Sequence, residues 1–157
     1  MTNDAIRAHC LALPMTTEEV QWEEHLLFKI GGKMFAITTL GGHRCNFKCT
    51  PEKYAELVEM PDILPSSHNM WKYQWVTTET LTALPDAEFR ALLTESYHLV
   101  RGSLSKKFQS ELEAGRQPKV KKWIPKAERA KQAAKKAIKK SAKTPAKSKK
   151  AAKRAKK

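Results

Sequence analysis

The chain reads as an α+β domain, an antiparallel sheet of about four strands with helices packed on one side, followed by a disordered basic tail. Three observations predict this. Two diglycine pairs, Gly31-Gly32 and Gly41-Gly42, separate short runs rich in β-forming residues, the pattern of a strand meander. Between Pro85 and Arg101, Phe89, Leu92, Leu93, Ser96, Tyr97 and Val100 fall at helical spacing along one face. Beyond Pro118 the composition changes: residues 119–157 hold 18 Lys/Arg against one acid, Glu128, whereas residues 1–118 hold 12 against 15 Asp/Glu. A net of −3 is thus joined to a net of +17, and the formal +14 describes neither part.

Asn3 can cap a first helix, with Asp4 in its first turn, Ile6, Cys10 and Leu13 along one face, and Pro14 as its stop. Thr16-Thr17-Glu18-Glu19 has the form of a capping box and suggests a short turn. Strand character begins at His25. Residues 26–30 and 33–40 are predicted to pair across a tight Gly31-Gly32 turn, and residues 43–49 form a third strand after Gly41-Gly42. Thr50-Pro51-Glu52 opens a helix: the threonine caps, the proline suits the first turn and the acid favours the positive dipole end. Tyr54, Leu57 and Val58 supply its buried face and Pro61 closes it. A loop rich in Pro, Ser and Asn (61–70) leads to a fourth strand at Trp75–Glu79. The helix from Pro85 ends or bends at Gly102, with a short continuation through Leu104, Phe108 and Leu112. The order is α-β-β-β-α-β-α.

Two domains follow: a body of residues 1–118, large enough for one core without disulfide or metal, and a tail of residues 119–157. Past Ile124 the only large apolar side chain in the tail is Ile138, too little to offset ordering entropy, so the tail is expected to be disordered when free. Three cysteines, an odd number, argue against a disulfide framework and suit a reducing compartment. No apolar run suits a signal peptide or a membrane span. A soluble, cytoplasmic protein without membrane contact is expected.

The body resembles the MmcQ/YjbR family of small bacterial proteins from about Arg7 to Lys107. The resemblance rests on Cys10-Leu11-Ala12-Leu13-Pro14, on residues 28–36 across the first hairpin, and on Phe47-Lys48-Cys49-Thr50-Pro51-Glu52. It continues through Pro65-Ser66-Ser67-His68, Lys72, Trp75-Val76, Ser96-Tyr97 and Leu99-Val100. It implies the family's compact α+β fold, likened to the frataxin fold and described as a double wing, and its usual description as DNA-binding. The tail lies outside the resemblance and is similar to the Lys/Ala/Pro-rich tails of linker histones.

A polycation this dense needs a polyanion, and duplex DNA is the expected partner, with RNA second. The contacts are assigned to Lys119, Lys121, Lys122, Lys126, Arg129, Lys131, Lys135, Lys136, Lys139, Lys140, Lys143, Lys147, Lys149, Lys150, Lys153, Arg154, Lys156 and Lys157. Each phosphate neutralised releases a condensed counterion, so affinity comes from charge density without sequence readout. Sixteen of the 18 are Lys, which suits diffuse phosphate contact better than bidentate base reading. The absence of aromatic residues from 124–157 favours duplex over single strand.

In the body, Lys48, His68, Lys72 and Trp75 form a candidate contact site, weighed against a plain solvated sheet face with Trp75 half buried. The alternation Trp71-Lys72-Tyr73-Gln74-Trp75 suggests a stacking strip, although aromatics paired on a strand are more often core. His43, Cys45 and Cys49 share one side of a strand, but three ligand types without a zinc spacing favour buried cysteines, and no metal or cofactor is expected. Ser96 and Tyr97 sit on an apolar helix stripe and read as packing. With no nucleophile elbow, phosphate-cradling Gly-rich loop or HExxH motif, a non-enzymatic, sequence-tolerant, nucleoid-associated DNA-binding protein is expected. The alternatives are a ligand- or protein-binding domain whose tail localises it to nucleic acid, and an RNA- or ribosome-associated protein.

Overall fold

A computed structural model describes residues 1–21 and 24–116. The tail assignments therefore lie outside the described residues. The elements run α1 (Asn3–Ala12), β1 (Thr16–Gln21), β2 (His25–Ile30), β3 (Lys33–Thr39), β4 (Cys45–Lys48) and α2 (Pro51–Leu57). They continue with β5 (Ile63–Pro65), a 3₁₀ turn (Met70–Tyr73), β6 (Trp75–Thr78), α3 (Asp86–Gly102) and α4 (Lys106–Glu113). All strand pairs are antiparallel, in the order β1-β2-β3-β4-β6-β5.

The α+β class holds, but the sheet has six strands rather than four. The first extra strand is Thr16–Gln21, which takes in the Thr16–Glu19 run expected as a capping-box turn. Met15, at a left-handed φ of 57°, swings the chain out of α1, and the β-branched Thr16, Thr17 and Val20 add to the free edge of β2. Both glutamates of the apparent box are used elsewhere: Glu18 meets Arg7 of α1 at 2.6 Å and Glu19 meets Lys29 of β2 at 2.5 Å. Charges here also blunt an edge that could template another strand. The second extra strand, Ile63–Pro65, lay in the expected loop. Only Ile63 is buried, and Pro65 is tolerated because β5 is the opposite edge.

Register explains the two faces. Phe28, Ala36, Phe47 and Val76 are successive cross-strand partners from β2 to β6, and all are fully buried. Against this row pack Ile6 and Cys10 of α1 and Phe89, Leu93 and Tyr97 of α3. Phe35 meets Tyr97 edge-on at 5.5 Å and Phe47 meets Phe89 at 5.7 Å. A register shift after Phe28 pairs Lys29 with Met34, so Phe35 and Ala36 both join the helix-side core. The row on the other face runs Glu19, Leu27, Ile37, Asn46, Thr77, Leu64, apolar in the middle and polar toward β6.

Local signals were mostly sound. Gly31 and Gly32 take φ of 54° and 79° in the β2–β3 turn, and a Cβ on Gly31 would meet Leu104 Cδ1 at 2.9 Å. Thr50 caps α2 with Pro51 in its first turn. All six stripe residues of α3 are buried. The continuation past Gly102 is a separate helix, with Ser105 accepting from the Phe108 amide. The cap of α1 is Thr2 rather than Asn3. Asn3 serves a longer-range purpose: its Nδ2 donates to the carbonyls of Gly42 (2.7 Å) and Thr39 (3.2 Å), and its Oδ1 accepts from the Thr38 hydroxyl.

Candidate functional site

The four body residues proposed from sequence divide between surface and interior. Lys48, at the end of β4, is the register partner of Trp75 at the start of β6. The Trp75 indole does not present itself to a ligand. It is 6% exposed and packs with Leu27 and Ile37 on the sheet face away from α1 and α3, beside Met34 and Met70. His68 and Lys72 are exposed on the loop that connects β5 to β6.

That loop, residues 66–74, is built rather than slack. Ser66 is buried, its hydroxyl 2.8 Å from Thr77 Oγ1, which also accepts from Asn46 Nδ2 at 2.8 Å. The Ser66 amide donates to the Trp75 carbonyl, closing the loop at its base. Of the five non-glycine residues with positive φ among the described residues, three lie here: His68 (57°), Asn69 (62°) and Gln74 (57°). Left-handed backbone at such residues costs free energy that the surrounding contacts must offset, and it concentrates at functional loops. The left-handed Asn69 and Gln74 flank the 3₁₀ turn Met70–Tyr73 on either side. Met70 points inward to the Leu27–Ile37–Trp75 cluster.

The end of β4 clasps the far side of the turn. The Cys49 amide donates to the Gln74 carbonyl at 2.9 Å, and the Lys48 ammonium donates to the Tyr73 carbonyl. Partial burial holds the Lys48 ammonium below the usual lysine pKa. Lys48 therefore works chiefly as a strut, with its charge still near the loop. Lys72 lies beside the Trp71 ring, its Nζ 5.5 Å from the centroid. The exposed aromatics of the strip are Trp71 at 48% and Tyr73 at 66%, not Trp75.

The candidate metal group disperses. His43 is exposed in the β3–β4 turn, whereas Cys45 and Cys49 are buried. Among the described residues no three His, Cys, Asp or Glu side chains gather to hold a metal ion. Burial pushes the Cys10 thiol up to about 12 and Cys49 to about 11, and raises Cys45 well above the ordinary 9.0. A thiol raised in the fold stabilises the native state below its unfolded pKa, and that contribution is lost as pH climbs through the folded value. Two outcomes are expected. At pH 8 the three thiols should react with Ellman's reagent only as fast as the body opens, and thermal stability should fall between about pH 9 and 12. Rapid native labelling of any of the three would contradict this burial.

Ser96 and Tyr97 pack as expected, but their hydroxyls do more than fill space. Ser96 Oγ donates to the Phe35 carbonyl at 2.5 Å and accepts from the Lys48 amide at 2.9 Å, tying α3 to β3 and β4. The Tyr97 hydroxyl donates to the Pro14 carbonyl at 3.0 Å. One concavity was not foreseen: an open cleft of about 550 Å³ between the start of α1, the β3–β4 turn and Glu79–Thr82. Its ionisable side chains are His43 and Glu79, and Glu79 is already met by Arg44 at 3.3 Å.

None of the described helices is long and apolar enough to cross a membrane. A family model described as YjbR matches residues 11–99. The uncharacterized protein YbdF of Escherichia coli O157:H7 is 32% identical over 111 residues, 67% of this chain and 90% of YbdF. Among solved structures, the Deinococcus radiodurans protein DR2400 superposes with a TM-score of 0.66 at 31% identity, over 71% of this chain and 88% of that one. A Pseudomonas syringae protein shares the fold, with a TM-score of 0.53 at 22% identity over 63% and 98% of the two chains.

Proposed function

The chain belongs to the MmcQ/YjbR family, and from that premise we propose that it is a non-enzymatic DNA-binding protein, largely indifferent to sequence and associated with the nucleoid. The observation that carries this reading is the division of charge. The family domain, with its flanks, is mildly acidic at −3, and the 39 residues that follow carry +17. An acidic body is a poor source of electrostatic affinity for a phosphate backbone, so binding is assigned to Lys and Arg of 119–157. The body then contributes positioning or a second contact.

Salt dependence tests the reading directly. If about 8–12 phosphates are neutralised at once, log K against log salt should slope at roughly −7 to −11 on duplex DNA. Shuffled duplexes should bind within a few-fold of one another, because phosphate contacts carry no sequence information. A shallow slope with strong preference for one duplex would mean that base edges are read, and the proposal would fail.

A further inference from the structure

Resting on that nucleic-acid reading, we propose that the Trp71–Tyr73 turn is a stacking site for unpaired nucleobases, so that the body contacts single-stranded or locally opened segments. The first ground is exposure. All five phenylalanines are buried or partly buried, as is Trp75, yet Trp71 and Tyr73 stand 48% and 66% exposed, two residues apart on one turn. Large rings left in water on a short turn suit a partner with π-faces.

The second ground is rigidity. Trp71 is fixed by its amide to the Ser66 carbonyl (3.3 Å), and its own carbonyl accepts from the Gln74 amide (3.1 Å). Tyr73 is held from beneath by the Lys48 ammonium on its carbonyl. Left-handed Asn69 and Gln74 flank the turn and set its direction. A turn whose backbone is already ordered gives up little further backbone entropy when a base settles on its rings.

The third ground is charge. From Ile63 to Thr78 there is no Asp or Glu, although the body as a whole holds 15. Within this acid-free stretch Lys72 lies against the Trp71 ring, and Lys48 reaches the turn from β4. Neither lysine is in an ion pair among the described residues. A ring to take the base and an ammonium to take the adjoining phosphate is the combination that single-strand binding uses. The setting does not suit an apolar peptide, because the rings project from a turn flanked by Ser67, His68, Asn69 and Gln74 rather than lining an apolar groove. Intact duplex would not use them either, since its bases are already stacked.

The test uses the full chain and three proteins: wild type, Trp71→Ala/Tyr73→Ala and Trp71→Phe/Tyr73→Phe. Each is titrated against a duplex and against the same duplex carrying an unpaired oligothymidine stretch, at one salt concentration. Stacking is worth about 5- to 150-fold per base by alanine substitution. The wild type should therefore favour the opened duplex by at least about tenfold. The alanine variant should lose that preference with intact-duplex affinity unchanged, and the phenylalanine variant should largely keep it. Quenching of tryptophan fluorescence by the unpaired stretch should diminish in the alanine variant. No preference in wild type, or an alanine variant that retains it, overturns the stacking site while leaving duplex binding intact. Failure of wild type to bind either DNA overturns the reading on which it rests.

Discussion

Truncation after Pro118 is expected to cost nearly all duplex DNA affinity while the remaining protein melts as the body of the full chain does. The expected loss follows from charge. At near-physiological salt the truncated protein keeps 12 Lys/Arg against 15 acids and loses the segment with 18 against one. Of those 12, Arg7, Lys29, Arg44, Lys53 and Arg101 are engaged by carboxylates. If the removed residues account for 8–12 phosphate contacts, affinity should drop by on the order of 10³ or more, to the level of weak non-specific contact. Folding should survive because, among the described residues, the buried side chains of the core between the sheet and α1 and α3 come from residues 6–112. Circular dichroism and thermal melting of residues 1–118 report the fold, and titration against duplex DNA reports affinity. Equal duplex affinity in the truncated protein would transfer the function to the body and remove the assignment of residues 119–157.

How far the sequence spoke for the fold depended on whether a signal was local. The i, i+3, i+4 stripe of α3, the Gly31-Gly32 turn and the Thr50-Pro51 start of α2 are each decided within a few residues, and each stands in the structure. Thr16–Glu19 has the local form of a capping box but becomes part of a strand, because its conformation is set by a partner strand and by Arg7 and Lys29, distant in sequence. The same limit applies to the site. Read as a strand, Trp71, Tyr73 and Trp75 would share one face. The left-handed φ at Gln74 breaks that alternation, so Trp75 enters the sheet and the other two rings stay outside. The run Ser66-Ser67-His68-Asn69, dense in turn formers, is the local signal behind the loop read over 61–70, and nothing as local marks that the loop runs on through the 3₁₀ turn Met70–Tyr73 to Gln74. The hydroxyl of Ser96 had no such hint, since a serine on an apolar stripe looks like a small filler until its partners on β3 and β4 are known.

Phe47→Ala is expected to damage the body severely, and it separates the two binding modes. Phe47 lies in the middle of the sheet, paired with Ala36 on β3 and Val76 on β6, fully buried and 5.7 Å from the Phe89 ring of α3. Truncating a buried phenylalanine costs about 3–5 kcal/mol from lost transfer energy and the cavity left behind. Against a total stability of about 5–15 kcal/mol, this should lower the melting midpoint by roughly 10–25 °C. Above the variant's midpoint and below that of the wild type, only the variant has lost its sheet, and with it the pedestal of Lys48, Cys49 and Ser66 beneath Trp71 and Tyr73. The charge of 119–157 is untouched. In that window the variant should hold intact duplex within a few-fold of wild type, yet show no preference for an opened duplex. Affinity from charge density does not require a fold, whereas a stacking platform does. Loss of duplex binding in step with the melting curve would instead place the duplex contact on the folded body.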